Sequence, residues 1–179
     1  GLAAQIDESR ALLDAMAVPR CEAKGFEADD LLGTFAEVLK KDKQNEIIIA
    51  SGDMDTLQLV DDKRVQVYTL KKGLNDTIMY DEAAVKARFG FGPELIPDYK
   101  GLRGDPSDNI PGIAGVGEKT ATTLITTFGS LEKMYKALGK GDEKFLEAKI
   151  TPRIVGLLRD GQEEAEFSKM LATIRIDAL

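Results

Sequence analysis

The hydrophobic pattern of this 179-residue chain changes near residue 81, and that change limits the folds open to it. Before residue 81, apolar residues at helical spacing alternate with short β-branched runs. This pattern predicts helices over 5–17, 27–39 and 55–60, and strands over 46–50, 64–70 and 77–80. Within the first strand, Ile47–Ala50 is continuously apolar, which is typical of a strand buried on both faces. The alternation of helices and strands indicates an α/β fold.

Beyond residue 81 the pattern is almost entirely helical, and glycine and proline interrupt it at intervals. The interruptions fall at 92–93, 104–106, 111–112, 115–117 and 129. We therefore predict two domains, a partial α/β core over 1–92 and a helical domain over 93–179.

The composition removes several classes of catalytic chemistry. The chain has no histidine and a single cysteine, Cys21, which excludes a Ser-His-Asp triad, a Cys-His dyad and a histidine-ligated zinc. Polar catalysis must then depend on carboxylates, lysines, hydroxyls, backbone groups or a metal bound by oxygen. The chain carries 24 Lys and Arg against 31 Asp and Glu, a net charge of −7, and such an acidic balance usually argues against a nucleic-acid partner.

The apolar segments and the N-terminal residues of the chain indicate its cellular location. No apolar run approaches the roughly 18 residues that a membrane span requires, and no secretory pattern opens the chain. We therefore predict a cytoplasmic protein without a membrane partner. The chain starts at Gly1, without an initiator methionine, and enters a helical pattern at once, which suggests a fragment or a processed chain.

Seven carboxylates lie in three short clusters at the ends of predicted elements. They are Glu27, Asp29 and Asp30, then Asp53 and Asp55, then Asp105 and Asp108. Each cluster alone has an ordinary explanation: favourable interaction with a helix dipole for the first, a helix N-cap for the second and an Asx turn for the third. Together they would repel one another if they converge, unless hard divalent cations neutralise them. Oxygen ligands without histidine select Mg²⁺ or Mn²⁺ and suit two-metal phosphoryl chemistry.

A glycine-rich hairpin follows the third cluster. Residues 111–117 contain four glycine or proline breaks, and an amphipathic helix begins near Glu118. Backbone N–H groups at such a helix start can bind a phosphate, with Lys119 beside them. The whole segment, at about 103–128, is typical of a helix–hairpin–helix that binds the duplex backbone without recognising bases.

The three motifs GFEADD, SGDMD and GDPSDNIPGIAGVGEKTA, in this order and spacing, resemble the 5′-nuclease domain of bacterial DNA polymerase I and its stand-alone 5′-3′ exonuclease and flap endonuclease relatives. The resemblance covers essentially the whole chain. It implies a resolvase-like (PIN-like) 5′-nuclease fold followed by a helical helix–three-turn–helix domain. It also implies a metal-dependent nuclease of bacterial replication and repair that cleaves 5′ flaps, nicked duplex and single strands of DNA.

The resemblance assigns roles to particular residues of this chain. Glu27, Asp29 and Asp30 match the first-metal side of the family's active site, and Asp53, Asp55, Asp105 and Asp108 match the second-metal side. The hairpin matches the element that binds duplex phosphates and commonly a potassium ion. Its candidate DNA contacts are Gly112, Gly115, Val116, Gly117, Lys119 and Thr120.

The chain also departs from the family pattern, because the family's first Asp-bearing strands and helical arch have no counterpart in it. The two-metal site is then incomplete, and we expect a fragment of low activity unless a preceding segment or a second chain completes the fold. The main alternative is a non-catalytic module that binds duplex DNA and retains a residual metal site. An acidic metal-binding protein without a DNA partner is a third, less favoured interpretation.

Overall fold

The protein, described here from a computed structural model, is defined over residues 1–71, 73 and 75–178. Its first half contains α1 (Leu2–Ala15), α2 (Ala28–Leu39), β1 (Ile47–Ala50), a 3-10 helix (Met54–Leu59), β2 (Val65–Leu70), β3 (Thr77–Tyr80) and α3 (Glu82–Phe89). Its second half contains a 3-10 helix (Pro93–Leu95), α4 (Ile96–Arg103), a 3-10 helix (Pro106–Asp108), α5 (Glu118–Phe128), α6 (Leu131–Leu138), α7 (Glu143–Glu147), α8 (Pro152–Asp160) and α9 (Gln162–Ala172). The predicted change from alternating strands and helices to helices alone is confirmed.

The sheet is small and mixed. Among the described residues it has the order β1-β2-β3, with β1 parallel to β2 and β2 antiparallel to β3. The prediction that β1 is buried on both faces is wrong. Ile49 is buried, but Ile48 on the opposite face is 54% exposed, because only one face of β1 packs on the core.

One hydrophobic core joins the two halves of the chain. Val65 and Val67 of the sheet belong to the same buried cluster as Leu102 of α4 and Leu124 of α5. Leu57, in the first 3-10 helix, is completely buried in this cluster, as is Leu102. Full burial of a leucine stabilises a fold by about 1.5–3 kcal/mol. The core therefore fixes the first 3-10 helix against α4, and the acidic residues of the two segments are fixed with it.

The C-terminal strap, residues 173–178, returns from α9 to the α/β half. The side chain of Gln58 anchors its start, since its amide nitrogen donates to the carbonyl of Ala172 at 3.0 Å and its oxygen accepts from the N–H of Ile174 at 2.9 Å. Both bonds join residues more than 100 positions apart in the chain.

The strap lies directly on α2. The N–H of Ala178 donates to the Thr34 hydroxyl at 3.0 Å. A Cβ atom added to Gly33 would approach a methyl group of Ile174 to 2.9 Å and the carbonyl oxygen of Arg175 to 3.1 Å. Close contact between α2 and the strap therefore requires a glycine at position 33.

The helix α1 confirms the first predicted helix, although none of its residues is buried. Leu2, Leu12 and Met16 are each more than half exposed. Among the described residues, no helix has the length and apolar character needed to cross a bilayer.

Candidate metal centre and phosphate-binding hairpin

The first acidic cluster lies at the start of α2. Glu27 is the N-cap residue, and its N–H donates to Asp30 Oδ2 at 3.1 Å. The other oxygen of Asp30 accepts from the N–H of Arg175 in the strap at 2.9 Å. Asp30 therefore stabilises the helix N-terminus, which is the ordinary capping role of an acidic residue at this position. It also fastens the strap to the start of α2.

The second cluster lies at the start of the 3-10 helix Met54–Leu59, just after β1. Asp53 is its N-cap, and Asp53 Oδ1 accepts from the N–H of Asp55 at 2.9 Å. The carbonyl of Asp53 accepts from the Thr56 hydroxyl at 2.6 Å. These bonds leave Asp53 exposed and direct the half-buried Asp55 towards α4.

The third cluster is built by a tight turn after α4. Asp105 Oδ1 accepts from both the N–H (3.0 Å) and the hydroxyl (2.5 Å) of Ser107. Reciprocal backbone bonds of 2.8 and 2.9 Å between Asp105 and Ile110 close the turn, and Asn109 adopts the left-handed conformation with φ 57°. The Asx turn is thus present, and the hydrogen bonds from Ser107 use only Oδ1 of Asp105.

The second and third clusters converge. One carboxylate oxygen from each of Asp55, Asp105 and Asp108 lies within 4.8 Å of the other two. We name these three residues the acidic triad. Their oxygens are the hard donors that Mg²⁺, Mn²⁺ and Ca²⁺ prefer, so the triad can hold a metal ion.

A lysine that the sequence analysis missed lies among these carboxylates. Lys100 Nζ pairs with Asp55 Oδ1 and lies 2.7 Å from Asp105 Oδ2 and 3.7 Å from Asp108 Oδ2. Its side chain is only 9% exposed. Desolvation opposes the ionisation of Asp105, but Lys100 and the Ser107 hydrogen bonds outweigh it and lower the pKa of Asp105 to about 2. No motif marks this lysine, since it lies five residues before Asp105, within α4.

A cavity of about 340 Å³ adjoins the triad. Its lining residues are Glu27, Asp29, Asp30, Asp55, Asp108, Ile110 and residues 171–174. Burial, followed by repulsion from Asp53 and Asp55, raises the pKa of Asp29 to about 6. Asp53 and Asp55 of the second cluster are thus close enough to oppose the ionisation of Asp29 in the first.

The hairpin after the third cluster is held from inside by buried groups. Gly112 has φ 59°, and a Cβ atom there would lie 2.1 Å from the backbone nitrogen of Gly104. The N–H of Gly112 donates to the buried Ser168 hydroxyl at 3.0 Å. Val116 is also buried, at 3% exposure. Both residues fix the shape of the turn.

The outer side of the hairpin is open. Gly115, Gly117 and Lys119 are exposed, and Thr120 is half-buried. Gly117 is the N-cap residue of α5 and provides no side-chain cap for its first N–H groups. Arg153 of α8, also missed from sequence, is exposed, and its guanidinium would lie 3.8 Å from a Cβ at Gly115.

Two family models together match the whole chain. One describes the N-terminal resolvase-like domain of 5′-3′ exonucleases and matches residues 1–90, and the other describes their C-terminal SAM fold and matches residues 91–179. DNA polymerase I of Bacillus subtilis (strain 168) is 42% identical over 177 residues, which cover 99% of this chain and 19% of that protein. DNA polymerase I of Bacillus caldotenax is 41% identical over 179 residues, with the same coverage. The chain spans about a fifth of the length of these relatives.

Solved structures share the fold. The T5 D15 protein co-crystallised with metal ions matches 89% of this chain and 54% of its own at 20% identity, with a TM-score of 0.72. The catalytic core of Rad2 in complex with DNA substrate matches 97% of this chain and 57% of its own at 20% identity, with a TM-score of 0.59. From the two family models and the polymerase relatives, we conclude that the chain belongs to the 5′-3′ exonuclease family.

Proposed function

We propose that this chain carries metal-binding and duplex-binding parts of a divalent-metal-dependent 5′-3′ exonuclease and flap endonuclease. Its substrate would be DNA with a 5′ flap, a nick or a junction between single strand and duplex. The observation that carries the proposal is the convergence of the acidic triad, Asp55, Asp105 and Asp108, beside a cavity that further carboxylates line. We propose a role for this activity in DNA replication and repair in the bacterial cytoplasm, and the similarity to bacterial DNA polymerase I supports that role.

The metal we propose is Mg²⁺ or Mn²⁺, because all candidate ligands are carboxylate oxygens. Asp55, Asp105 and Asp108 would hold one ion, and Glu27 and Asp29 would contribute from the far side of the cavity, with Asp30 and Asp53 supporting them at the two helix starts. When bound, such an ion makes water a stronger nucleophile and stabilises the negative charge on phosphate oxygens. The co-crystallisation of the T5 protein with metal ions supports a metal-dependent site, without distinguishing between these ions.

The hairpin would bind the duplex through phosphates. The exposed Gly115 and Gly117 allow close approach of a DNA backbone, and the free N–H groups at the start of α5 favour an anion. Lys119, Thr120 and Arg153 would add contacts to neighbouring phosphates, while Gly112 and Val116 hold the turn. A potassium ion bound by hairpin carbonyls would fit the same role. The Rad2 core, solved with a DNA substrate, supports DNA as the partner.

A labelled 5′-flap duplex tests the proposal. We expect slow cleavage in Mg²⁺, no cleavage in EDTA, and at least about 100-fold slower cleavage by Asp55→Asn than by the unmodified chain, since even groups that only orient metal ligands are worth 10–100-fold. Asp62→Asn is the matched control, because Asp62 is exposed, lies outside the cavity and has a left-handed φ of 48° that asparagine tolerates.

A different result would favour the alternative. Binding of the flap duplex without metal-dependent cleavage, and with unchanged affinity in Asp55→Asn, would indicate a non-catalytic DNA-binding module. Equal cleavage by Asp55→Asn and Asp62→Asn would contradict the proposed metal centre.

A further inference from the structure

Lys100 is held in the acidic triad as a metal ion would be. It lies in α4 between Tyr99 and Leu102, which are 4% and 0% exposed, so the core fixes the backbone that carries it. A lysine with a side chain only 9% exposed is rare unless it is paired. Its ammonium contacts all three carboxylates of the triad, which come from two separate segments of the chain.

A divalent ion and this ammonium need the same space. The ammonium lies among carboxylate oxygens that are within 4.8 Å of one another, and a metal ligated by those oxygens would occupy the same position. Two cations there would repel each other strongly in a partly desolvated site. The lysine stem is flexible and the cavity beside the triad offers space, so the ammonium can leave while its backbone stays in place.

We infer that Lys100 is an internal counter-ion of the metal-free protein: its ammonium occupies the divalent-cation position of the triad, and a metal binds only by displacing it. This inference rests on the proposed function, because it assumes that the triad is the metal site. It assigns Lys100 as a positioning residue. In the metal-free state its single positive charge keeps three carboxylates together that would otherwise repel one another.

The consequence is measurable without nuclease activity. Removal of the ammonium should strengthen divalent-ion binding, because no internal cation then competes for the oxygens. We therefore compare Mn²⁺ binding by the chain and by Lys100→Met, using isothermal titration at neutral pH and the EPR signal of free Mn²⁺. We expect at least a tenfold lower dissociation constant for Lys100→Met, and a larger Mn²⁺-induced rise in Tm.

Lys169→Met is the matched control. Lys169 also pairs with two carboxylates, those of Asp98 and Glu132, but it lies outside the triad, so its replacement should leave the dissociation constant for Mn²⁺ unchanged. Adding Asp108→Asn to Lys100→Met should abolish the gain, which locates the tighter site in the triad.

If Lys100→Met folds only after Mn²⁺ is added, as judged by circular dichroism, that result also supports the inference. If it does not fold at all, Lys100→Gln provides the same comparison.

Two results would contradict the inference, and they are distinguishable. Equal or weaker Mn²⁺ binding by Lys100→Met, with binding by the unmodified chain that Asp108→Asn weakens, would overturn the role of Lys100 and leave the proposed metal centre intact. No Mn²⁺ binding by either protein would contradict the metal centre and, with it, the inference.

Discussion

Two lysines in this molecule, Lys169 and Lys100, each pair with several carboxylates, but the two clusters differ in their balance of charge. At the junction of α4, α6 and α9, Lys169 Nζ lies 2.7 Å from both Asp98 Oδ1 and Glu132 Oε1. Asp98 is only 3% exposed, and it also accepts from the N–H of Leu131 at 2.7 Å. The buried charge is therefore paired and hydrogen-bonded, which is the condition for a buried ion pair to persist.

The acidic triad is built from the same residue types but has an excess of negative charge. Lys100 contacts three carboxylates there, and Glu27, Asp29 and Asp30 line the adjoining cavity. Burial, and after it this excess of negative charge, raises the pKa of Asp29. At a junction that only joins helices, the chain's own residues balance the buried charges. A cluster that keeps an excess of negative charge indicates a binding site for a cation from solution.

The largest effect on stability is expected at the junction. Asp98→Ala removes the acceptor of the Leu131 N–H and the buried one of the two carboxylates that pair with the Lys169 ammonium. Loss of one partner from a buried ion pair costs about 3–5 kcal/mol. Urea unfolding of the metal-free protein should show this loss in the free energy of unfolding, and a loss below about 1 kcal/mol would mean that the junction does not stabilise the fold as described.

The next effect concerns the C-terminal strap, whose first residues line the acidic cavity. Gly33→Ala would place a Cβ 2.9 Å from Ile174 and 3.1 Å from the Arg175 carbonyl, so the strap must move away from α2. Overpacking of this kind costs about 1–3 kcal/mol. We expect faster amide hydrogen exchange at Ile174, Arg175 and Ala178 in the variant. Unchanged exchange at these three amides would show that the strap does not need a glycine there. Gly156→Ala, at a helical glycine where an added Cβ meets nothing within 4 Å, is the control.

Replacement of Asp29, which lines the cavity, should have a smaller effect and should increase stability. The folded protein raises the pKa of Asp29 from 3.8 to about 6, so ionised Asp29 destabilises the fold at pH 7. Asp29→Asn should therefore stabilise the metal-free protein by roughly 1 kcal/mol after allowance for solvent screening, a rise in Tm of about 2–4 °C.

The pH dependence checks the cause of that gain. It should be complete above pH 6 and fade as the pH falls towards 3.8, because Asp29 is then protonated in the unmodified protein as well. Thermal unfolding of Asp29→Asn and of the unmodified protein, in EDTA at pH 7.5 and at pH 4, measures the gain in stability at each pH. A variant that is less stable than the unmodified protein at pH 7.5 would show that Asp29 is satisfied by its surroundings.

The smallest effect is expected at the rim of the junction. A hydrogen bond from Lys169, with one from Ser130, lowers the pKa of Glu132 from 4.5 to about 2, but the Glu132 side chain is 69% exposed. Glu132→Gln should therefore cost only about 0.5 kcal/mol at pH 7. Because the folded-state pKa is lowered, this contribution is present above pH 4.5 and is lost as the pH falls towards 2. Urea unfolding at pH 7 and pH 3 should show the difference shrinking, and a constant difference would exclude the ion pair as its cause.

The local sequence pattern was sufficient to predict the helices and strands and to locate the acidic motifs. Helical spacing located α2 and α5, and the turn residues after α4 marked the third cluster. Pattern could not show that Asp30 is tied to Arg175, 145 residues away, or that Gly112 donates to Ser168. Such contacts depend on how distant segments pack, which no local periodicity encodes.

Two further errors of the sequence analysis have the same origin. A continuous apolar run predicts burial on both faces, but only one face of β1 packs on the core, so Ile48 is exposed. Lys100 has no motif, and only the packing of α4 against the first 3-10 helix brings its ammonium to Asp55. Cluster spacing could predict where carboxylates converge, but not the cation that lies among them.

Diffraction from crystals of this chain grown with Mn²⁺ tests the central claim most directly. We predict an anomalous peak within about 2.5 Å of carboxylate oxygens from Asp55, Asp105 and Asp108, with the Lys100 ammonium moved out of the triad. A triad without a peak at saturating Mn²⁺, with Lys100 still paired to the three carboxylates, would contradict the claim that this cavity is a metal centre.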